Sequence, residues 1–158
     1  MKKILISECL YGGRAVRYDG GKIPLADPIL LRWKEEGRLV PVCPEVLGGL
    51  DVPRAESQIT GGRVMTREGD DVTAAFAAGA AEALRIAETE QVAFALLKDS
   101  SPSCGVRRIH DGSFSGRKIT GRGLAADLLA GAGFRVFAED ETEAALSFLV
   151  MQEAAEIG

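Results

Sequence analysis

The chain has 158 residues, of which 46% are hydrophobic and 27% are charged, and its net charge is −4. This length fits a single domain, residues 1–158, and the composition is that of an ordinary globular protein. The negative charge, with no run of Lys or Arg longer than two residues, argues against binding to a nucleic-acid duplex. No apolar stretch approaches the ~20 residues that span a bilayer, so no membrane partner is expected.

The start of the chain and its cysteines indicate a location. Basic residues at the N-terminus precede only a very short apolar stretch, which ends at Glu8. A secretory signal peptide is therefore not expected, and a cytoplasmic protein is predicted. Three cysteines are an odd number for such a chain, so a disulfide framework is not expected either.

Short apolar segments in the first two thirds of the chain predict strands that are buried on both faces of a parallel sheet. These segments are Lys3–Ser7, Leu39–Val42 and Val92–Leu97. Each is followed by a cysteine and then by a glycine-containing turn. The cysteines are Cys9, Cys43 and Cys104. A fourth predicted strand, Phe134–Phe137, has no cysteine at its end.

The segments between these strands predict helices and small hairpins. A helix is expected after the N-cap Asp27, ending at Gly37, and Asp70 or Asp71 is expected to cap a long alanine-rich helix that reaches about Glu88. Gly79 lies within that helix and indicates close packing there. Further helices are expected at Arg122–Ala130 and, capped by Asp140, at Glu141–Glu156; hairpins are expected around Gly61-Gly62 and within Arg108–Ser115. The predicted fold is α/β, with a mainly parallel sheet of about four strands flanked by helices and with small hairpin insertions.

The carboxyl ends of parallel strands lie at one edge of the sheet, where open α/β proteins bind their ligands. The three thiols are therefore expected to converge there, although each cysteine taken alone is as easily a small buried hydrophobic residue. Three thiolates suit a catalytic zinc ion with one open position, or an iron–sulfur cluster with one iron left free of protein. The residues alone leave both choices open. The single histidine, His110, lies beside an Asp-Gly turn and is interpreted as a surface side chain rather than a ligand.

The motifs around the cysteines resemble those of the 2-thiouracil desulfurase family, in the same order from about Ile4 to Ala126. The matching segments are Ser7–Leu10, Arg17–Gly20, Cys43–Glu45, Gly48–Leu50, Pro53-Arg54, Leu97-Lys98, Ser101–Gly105 and Asp111–Gly116. The family commonly has a small residue where this chain has Glu8, and a tyrosine where it has His110. These two positions therefore bear on substrate preference.

The resemblance implies a desulfurase that holds a 4Fe–4S cluster with Cys9, Cys43 and Cys104 and leaves one iron unbound by protein. That iron would take the sulfur of a small thiolated base such as 2-thiouracil, and water would supply the oxygen that replaces it, with no net redox change. Glu45 and Ser101 match residues that the family uses beside the cluster.

The same roles are chemically reasonable from the residue types. A carboxylate such as Glu45, two residues after a ligand, can activate water as a general base, and its alternative is a surface acid before a glycine turn. Ser101 can bond the ring or the developing charge, and its alternative is a turn hydroxyl that bonds its own backbone; Ser103 is the next candidate. Glycines would let backbone approach the cluster, namely Gly12, Gly13, Gly48, Gly49 and Gly105.

Two other functions remain open at this point. One is a non-catalytic iron–sulfur or zinc protein that acts as a sensor or sulfur carrier. The other is a hydrolase with a Cys₃ zinc site, although the familiar deaminase signature, His-x-Glu with Pro-Cys-x-x-Cys, is absent from the sequence. The oligomeric state is not predicted.

Overall fold

Short strands make up a central sheet and two hairpins in the computed structural model, which describes residues 1–157. In chain order the strands are β1 (Ile4–Ser7), β2 (Leu39–Val42), β3 (Ser57–Thr60), β4 (Arg63–Thr66), β5 (Phe94–Leu97), β6 (Arg108–His110), β7 (Lys118–Thr120) and β8 (Val136–Ala138). The central sheet has the order β2-β1-β5-β8, and all of its pairings are parallel. The predicted α/β fold with a parallel four-stranded sheet is confirmed.

The helices cover both faces of this sheet. They are α1 (Glu8–Tyr11), α2 (Pro28–Glu35), α3 (Pro44–Leu47), α4 (Thr73–Thr89), α5 (Leu124–Gly131) and α6 (Thr142–Ile157). Within residues 1–157, no helix combines the length and the apolar character needed to cross a membrane. The sequence does not predict the one-turn helices α1 and α3. Each begins at the end of a central strand, within one residue of the cysteine that follows that strand.

Successive residues of the central strands face two separate cores, as the alternation of side chains along a strand requires. Leu5 and Leu97 pack in one core with Ala83 of α4 and Leu129 of α5. Ile4, Ile6 and Phe94 point to the other face, where they pack in a second core with Trp33 of α2 and Leu149 of α6. Because both faces are covered, the strands read in sequence as short apolar runs.

Two of the expected helix caps are wrong. The helix α4 begins after Val72, which makes no side-chain cap, and the Asp71 carboxylate accepts the N–H of Thr73 at 2.9 Å from just outside the helix. Asp140 does not cap α6, because its carboxylate accepts two hydrogen bonds from Arg107, each 2.7 Å long. The Asp140 carboxylate is therefore paired with an arginine, whereas the Asp71 carboxylate still bonds the first N–H of α4, from one residue before the N-cap position.

The two small hairpins form, the second with a different partner strand. β3 and β4 pair around Gly61-Gly62 as expected. β6 pairs with Lys118–Thr120 and not with the residues that directly follow the Asp-Gly turn. The buried Gln58 holds the longer loop, since its Oε1 accepts the N–H groups of Gly112 (3.0 Å) and Phe114 (3.2 Å).

Helices α3 and α4 cross in backbone contact at Gly79. A Cβ added to Gly79 would overlap the carbonyl oxygen of Pro44, and one added to Gly48 would overlap the carbonyl oxygen of Ala75. The mid-helix glycine therefore has the close-packing role that the sequence indicates. Because Pro44 lies between Cys43 and Glu45, this contact between the two helices fixes the backbone positions of both residues.

We expect Gly79→Ala to lower the free energy of unfolding by about 2–3 kcal/mol, despite the better helix propensity of alanine. The methyl group meets a backbone carbonyl that cannot rotate away, and overpacking of this kind typically costs ~1–3 kcal/mol. Gly131→Ala is the matched control, because nothing lies within 4 Å of an added Cβ at that position. Chemical denaturation measures both variants. Equal stabilities for the two would contradict the helix contact.

Candidate active site

All three cysteines line one cavity of about 250 Å³ at the carboxyl edge of the central sheet. Cys9 lies in α1, directly after β1. Cys43 is the N-cap of α3, directly after β2. Cys104 lies in the loop after β5. Because β2, β1 and β5 are adjacent and parallel, the sheet itself brings together thiols that are far apart in sequence.

The three cysteines are free thiols, and burial raises the pKa of each. The pKa of Cys9 is raised to about 12, first by burial and then by the neighbouring Cys43, against the opposing charges of Lys98 and Arg17. For Cys104, burial is again the main cause, and a hydrogen bond from Ser7 opposes the rise in its pKa. Binding to iron would stabilise such sulfurs as thiolates, because the metal provides a positive charge that offsets the effect of burial.

A buried carboxylate, Asp99, shapes the loop that carries Cys104. Its Oδ1 accepts the backbone N–H groups of Ser100 (2.9 Å), Val106 (2.8 Å), Arg107 (3.1 Å) and Arg108 (3.2 Å). Burial alone would raise the pKa of Asp99, but these donors outweigh it and the pKa lies below its usual value. The Asp99 carboxylate therefore provides a common acceptor for backbone N–H groups of this irregular loop.

The same loop is fixed on its other side by α5. The N–H groups of Leu124 and Ala125 donate to the carbonyl oxygens of Pro102 and Ser103, each at 2.9 Å. These are N–H groups of the first turn of α5, which have no partner within the helix. The loop around Cys104 is thus held between a carboxylate and a helix N-terminus.

Glu45 lines the cavity beside the cysteines and has a partner on each carboxylate oxygen. Its Oε1 accepts the Nε–H of Arg54 at 3.0 Å, and its Oε2 accepts the hydroxyl of Ser103 at 2.7 Å. The Glu45 side chain is only 14% exposed. It is therefore an inward-facing acid at the cavity wall and not a surface acid.

Ser101 and Ser103 both line the cavity and lie next to each other, with 3.3 Å between their hydroxyl oxygens. Ser101 Oγ accepts the N–H of Cys104 at 2.7 Å, which is a bond of the turn type that is the alternative role of this hydroxyl. The hydroxyl proton of Ser101 is not used by that bond, so it can still donate to Ser103 or to a bound molecule.

Glu8 and His110 also line the cavity. Glu8 is paired with Arg14 through hydrogen bonds of 2.6 and 3.2 Å. His110 is not a plain surface side chain, because its Nδ1 is buried and has no hydrogen-bond partner among the described residues. The sequence gives no sign of this burial, since β6 has only three residues.

The cavity suits a cluster better than one metal ion. Among residues 1–157, no three His, Cys, Asp or Glu side chains are grouped closely enough to hold a single ion. A cubane cluster is larger than one ion and has a separate iron for each cysteine ligand. Three soft thiol ligands around one cavity, with Cys104 buried and Cys9 and Cys43 partly buried, suit such a cluster in their chemistry.

Comparison with known proteins relates this arrangement to a family. A model of the family described as 2-thiouracil desulfurase matches residues 4–141. The chain belongs to the 2-thiouracil desulfurase family. A relative from Bacillus subtilis (strain 168), named YbbK and described as uncharacterized, is 40% identical over 148 residues, which cover 87% of this chain and 96% of YbbK.

A solved structure supports the same assignment. It is named as a 4Fe-4S-dependent thiouracil desulfidase, TudS, and is 42% identical in sequence, with a TM-score of 0.90. The match covers 95% of this chain and 99% of TudS. The family and this solved relative are named for an enzyme activity, so the prediction of a desulfurase-type enzyme is confirmed. The roles of individual residues stay predictions.

Sequence reasoning missed the residues that support the site. Only 9% of the Arg54 side chain is exposed, and Asp99 is buried, although the sequence predictions give neither residue a supporting role. An acid followed by Ser100-Ser101-Pro102 is a local signal of a carboxylate that bonds its own loop. No local signal pairs Arg54 with Glu45, because that contact depends on the tertiary fold.

Proposed function

We propose that this protein is an iron–sulfur-dependent, non-redox desulfurase that converts the C=S group of a thiolated pyrimidine such as 2-thiouracil into C=O. The observation that carries the proposal is the cavity itself, in which three cysteines that follow adjacent strands, one buried and two partly buried, lie with an inward-facing carboxylate and serine hydroxyls. Membership of the desulfurase family and the likeness to the 4Fe-4S-dependent TudS support it.

Cys9, Cys43 and Cys104 would hold the 4Fe–4S cluster. When bound, the cluster supplies an iron without a protein ligand, which attracts the soft thiocarbonyl sulfur as a Lewis acid. The rest of the chemistry belongs to the chain. The overall change, C=S plus H₂O to C=O plus H₂S, moves protons and no electrons, so a base and a hydrogen-bond donor are needed.

Glu45 is the proposed base. It lies within the cavity, and each of its oxygens keeps a lone pair beyond the bond that it already accepts, so it can take a proton from water. Ser101 is the proposed donor to the ring or to the developing negative charge. Both groups stand on short, fixed segments next to a cysteine, so they would face a molecule whose sulfur points to the cluster.

The size of the cavity favours a small substrate. The cavity of about 250 Å³ is open to one side and would receive the cluster together with the reacting part of the substrate. Pockets for drug-sized molecules are larger, roughly 300–1,000 Å³. A single pyrimidine ring therefore suits the space better than a nucleoside.

We further propose that residues 1–158 act as one domain, because both hydrophobic cores combine residues from the two halves of the chain. We also propose that the protein is cytoplasmic.

Anaerobic purification tests the proposal. The protein is expected to be brown, with about four irons and four sulfides per chain, as a 4Fe–4S cluster requires. It should turn 2-thiouracil into uracil and release one sulfide per turnover. Uracil is followed by chromatography, and zinc is measured in the same sample. A colourless zinc protein, or a protein with a full cluster that releases no sulfide, would overturn the proposal.

A further inference from the structure

The Glu45 carboxylate is held in place from two sides, and we propose that Arg54, together with Ser103, positions it for reaction. This inference rests on the proposed function, because it concerns how the proposed base is oriented. Arg54 and Ser103 are not proposed to touch the substrate. They act through Glu45, and their effect should disappear when Glu45 can no longer act as a base.

Arg54 is the anchor because its guanidinium group donates in three directions. Nε–H donates to Glu45 Oε1 at 3.0 Å, one terminal nitrogen donates to the carbonyl oxygen of Val16 at 2.8 Å, and the other to that of Asp51 at 3.0 Å. The side chain is 9% exposed, and Glu45 is its only carboxylate partner among the described residues. Arg54 thus ties Glu45 to two separate loop segments, one of which, at Val16, lines the cavity.

These three bonds need an arginine. The guanidinium group is planar and holds its N–H groups in fixed directions, whereas a lysine ammonium is a compact charge on a flexible stem. A lysine at this position keeps the positive charge but cannot reach three acceptors that lie around a plane. The substitution Arg54→Lys therefore tests whether the orientation of Glu45 matters, because it keeps the positive charge but loses the three fixed hydrogen bonds.

Ser103 fixes the other carboxylate oxygen. Its hydroxyl donates to Glu45 Oε2 at 2.7 Å, and the residue is 3% exposed. The bond joins positions 58 residues apart in the chain and connects Glu45 to the loop that carries Cys104. The base and one expected cluster ligand are therefore held in a common network, so the carboxylate is oriented before any substrate arrives.

The expected result for Arg54→Gln is a fall in kcat of ~10- to 100-fold at equal cluster content, because a shift of about 1 Å in a reacting group can cost 10²-fold. KM should change by less than about threefold, since Arg54, although it lines the cavity, is proposed to act through Glu45 and not on the substrate. Arg54→Lys should recover little of the loss. Arg63→Gln is the matched control: it removes an arginine–carboxylate pair, with Asp71 at 2.8 Å, and Arg63 does not line the cavity.

A double-mutant cycle tests whether Arg54 acts through Glu45. In a Glu45→Gln background, the additional change Arg54→Gln should alter kcat by less than about twofold, because residues that act as a unit are strongly non-additive. Ser103→Ala should behave in the same way, with a smaller loss in the wild-type background. Equal losses in both backgrounds, or full recovery by Arg54→Lys, would overturn the positioning role.

A crystal structure of the Arg54→Gln variant gives a readout that does not depend on activity. The Glu45 carboxylate should turn away from its wild-type position while the three cysteines stay in place. If the cluster-loaded wild-type protein releases no sulfide, the proposed function has failed, and the carboxylate position still decides the inference. An unmoved Glu45 in that crystal structure would overturn it.

Discussion

Replacement of Cys9, Cys43 or Cys104 by serine is expected to abolish retention of the iron–sulfur cluster in each single variant. A serine hydroxyl is a hard and weakly acidic ligand, whereas iron in such clusters is held by soft thiolates. If these three cysteines are the protein ligands, as proposed, the loss of one leaves two irons of the cubane without a protein ligand. Iron and sulfide per chain, together with the visible absorbance after anaerobic reconstitution, measure the effect.

Loss of the cluster must be separated from loss of the fold. Cys104 is 5% exposed and belongs to a hydrophobic core, so a serine there also buries a hydroxyl group. Cys104→Ala keeps the apolar character of the position and should lose the cluster while it keeps the cooperative unfolding transition of the cluster-free wild type. Full iron content in any one variant would remove that cysteine from the ligand set.

The sequence predicts the central sheet because the strands are buried on both faces. Runs such as Val92–Leu97 have no polar alternation, and the strand β5 lies within that run with every residue buried. The position of each cysteine after such a run then predicts a common edge, since parallel strands end on the same side. The adjacency of β2, β1 and β5 could not be read from the sequence, because strand order depends on how the helices pack.

The elements that escaped prediction are short or exposed. The strand β7 has three exposed residues, so it lacks the alternation that marks a half-buried strand. The helices α1 and α3 have four residues each, which is too short for a 3.6-residue period to appear. α3 exists where it does because Gly79 of α4 leaves room for the Pro44 carbonyl, a contact between distant segments.

The candidate site follows the same rule. Its cysteines were predictable, because each is marked by the strand before it. The partners of Glu45 were not, because Arg54 belongs to an irregular segment and Ser103 comes from another loop. Irregular segments have no period from which a side-chain direction can be inferred, so only the folded chain brings these groups together.

Glu45→Gln is expected to slow the chemical step by ~10²–10⁴, the usual contribution of a positioned general base. The amide has nearly the size of the carboxylate, and its oxygen can still accept the Nε–H of Arg54, but it cannot take a proton from water. The cluster should be retained, because Cys43 stands at the N-cap of α3 through backbone contacts that this change leaves intact. Single-turnover desulfuration at equal iron content measures the step, and substrate binding is measured separately.

Two control variants show whether the loss of rate in Glu45→Gln comes from removal of the general base. Glu82→Gln removes a carboxylate that is paired with Arg85 on the exposed face of α4, so it should leave the rate unchanged. Ser101→Ala removes the acceptor of the Cys104 N–H as well as the proposed donor to the substrate. It should therefore lower transition-state stabilisation by about 1–3 kcal/mol and also lower the cluster content. Its rate must therefore be corrected for iron. If Glu45→Gln reacts as fast as the wild type, water is activated by another group, and the role of Glu45 as base is wrong.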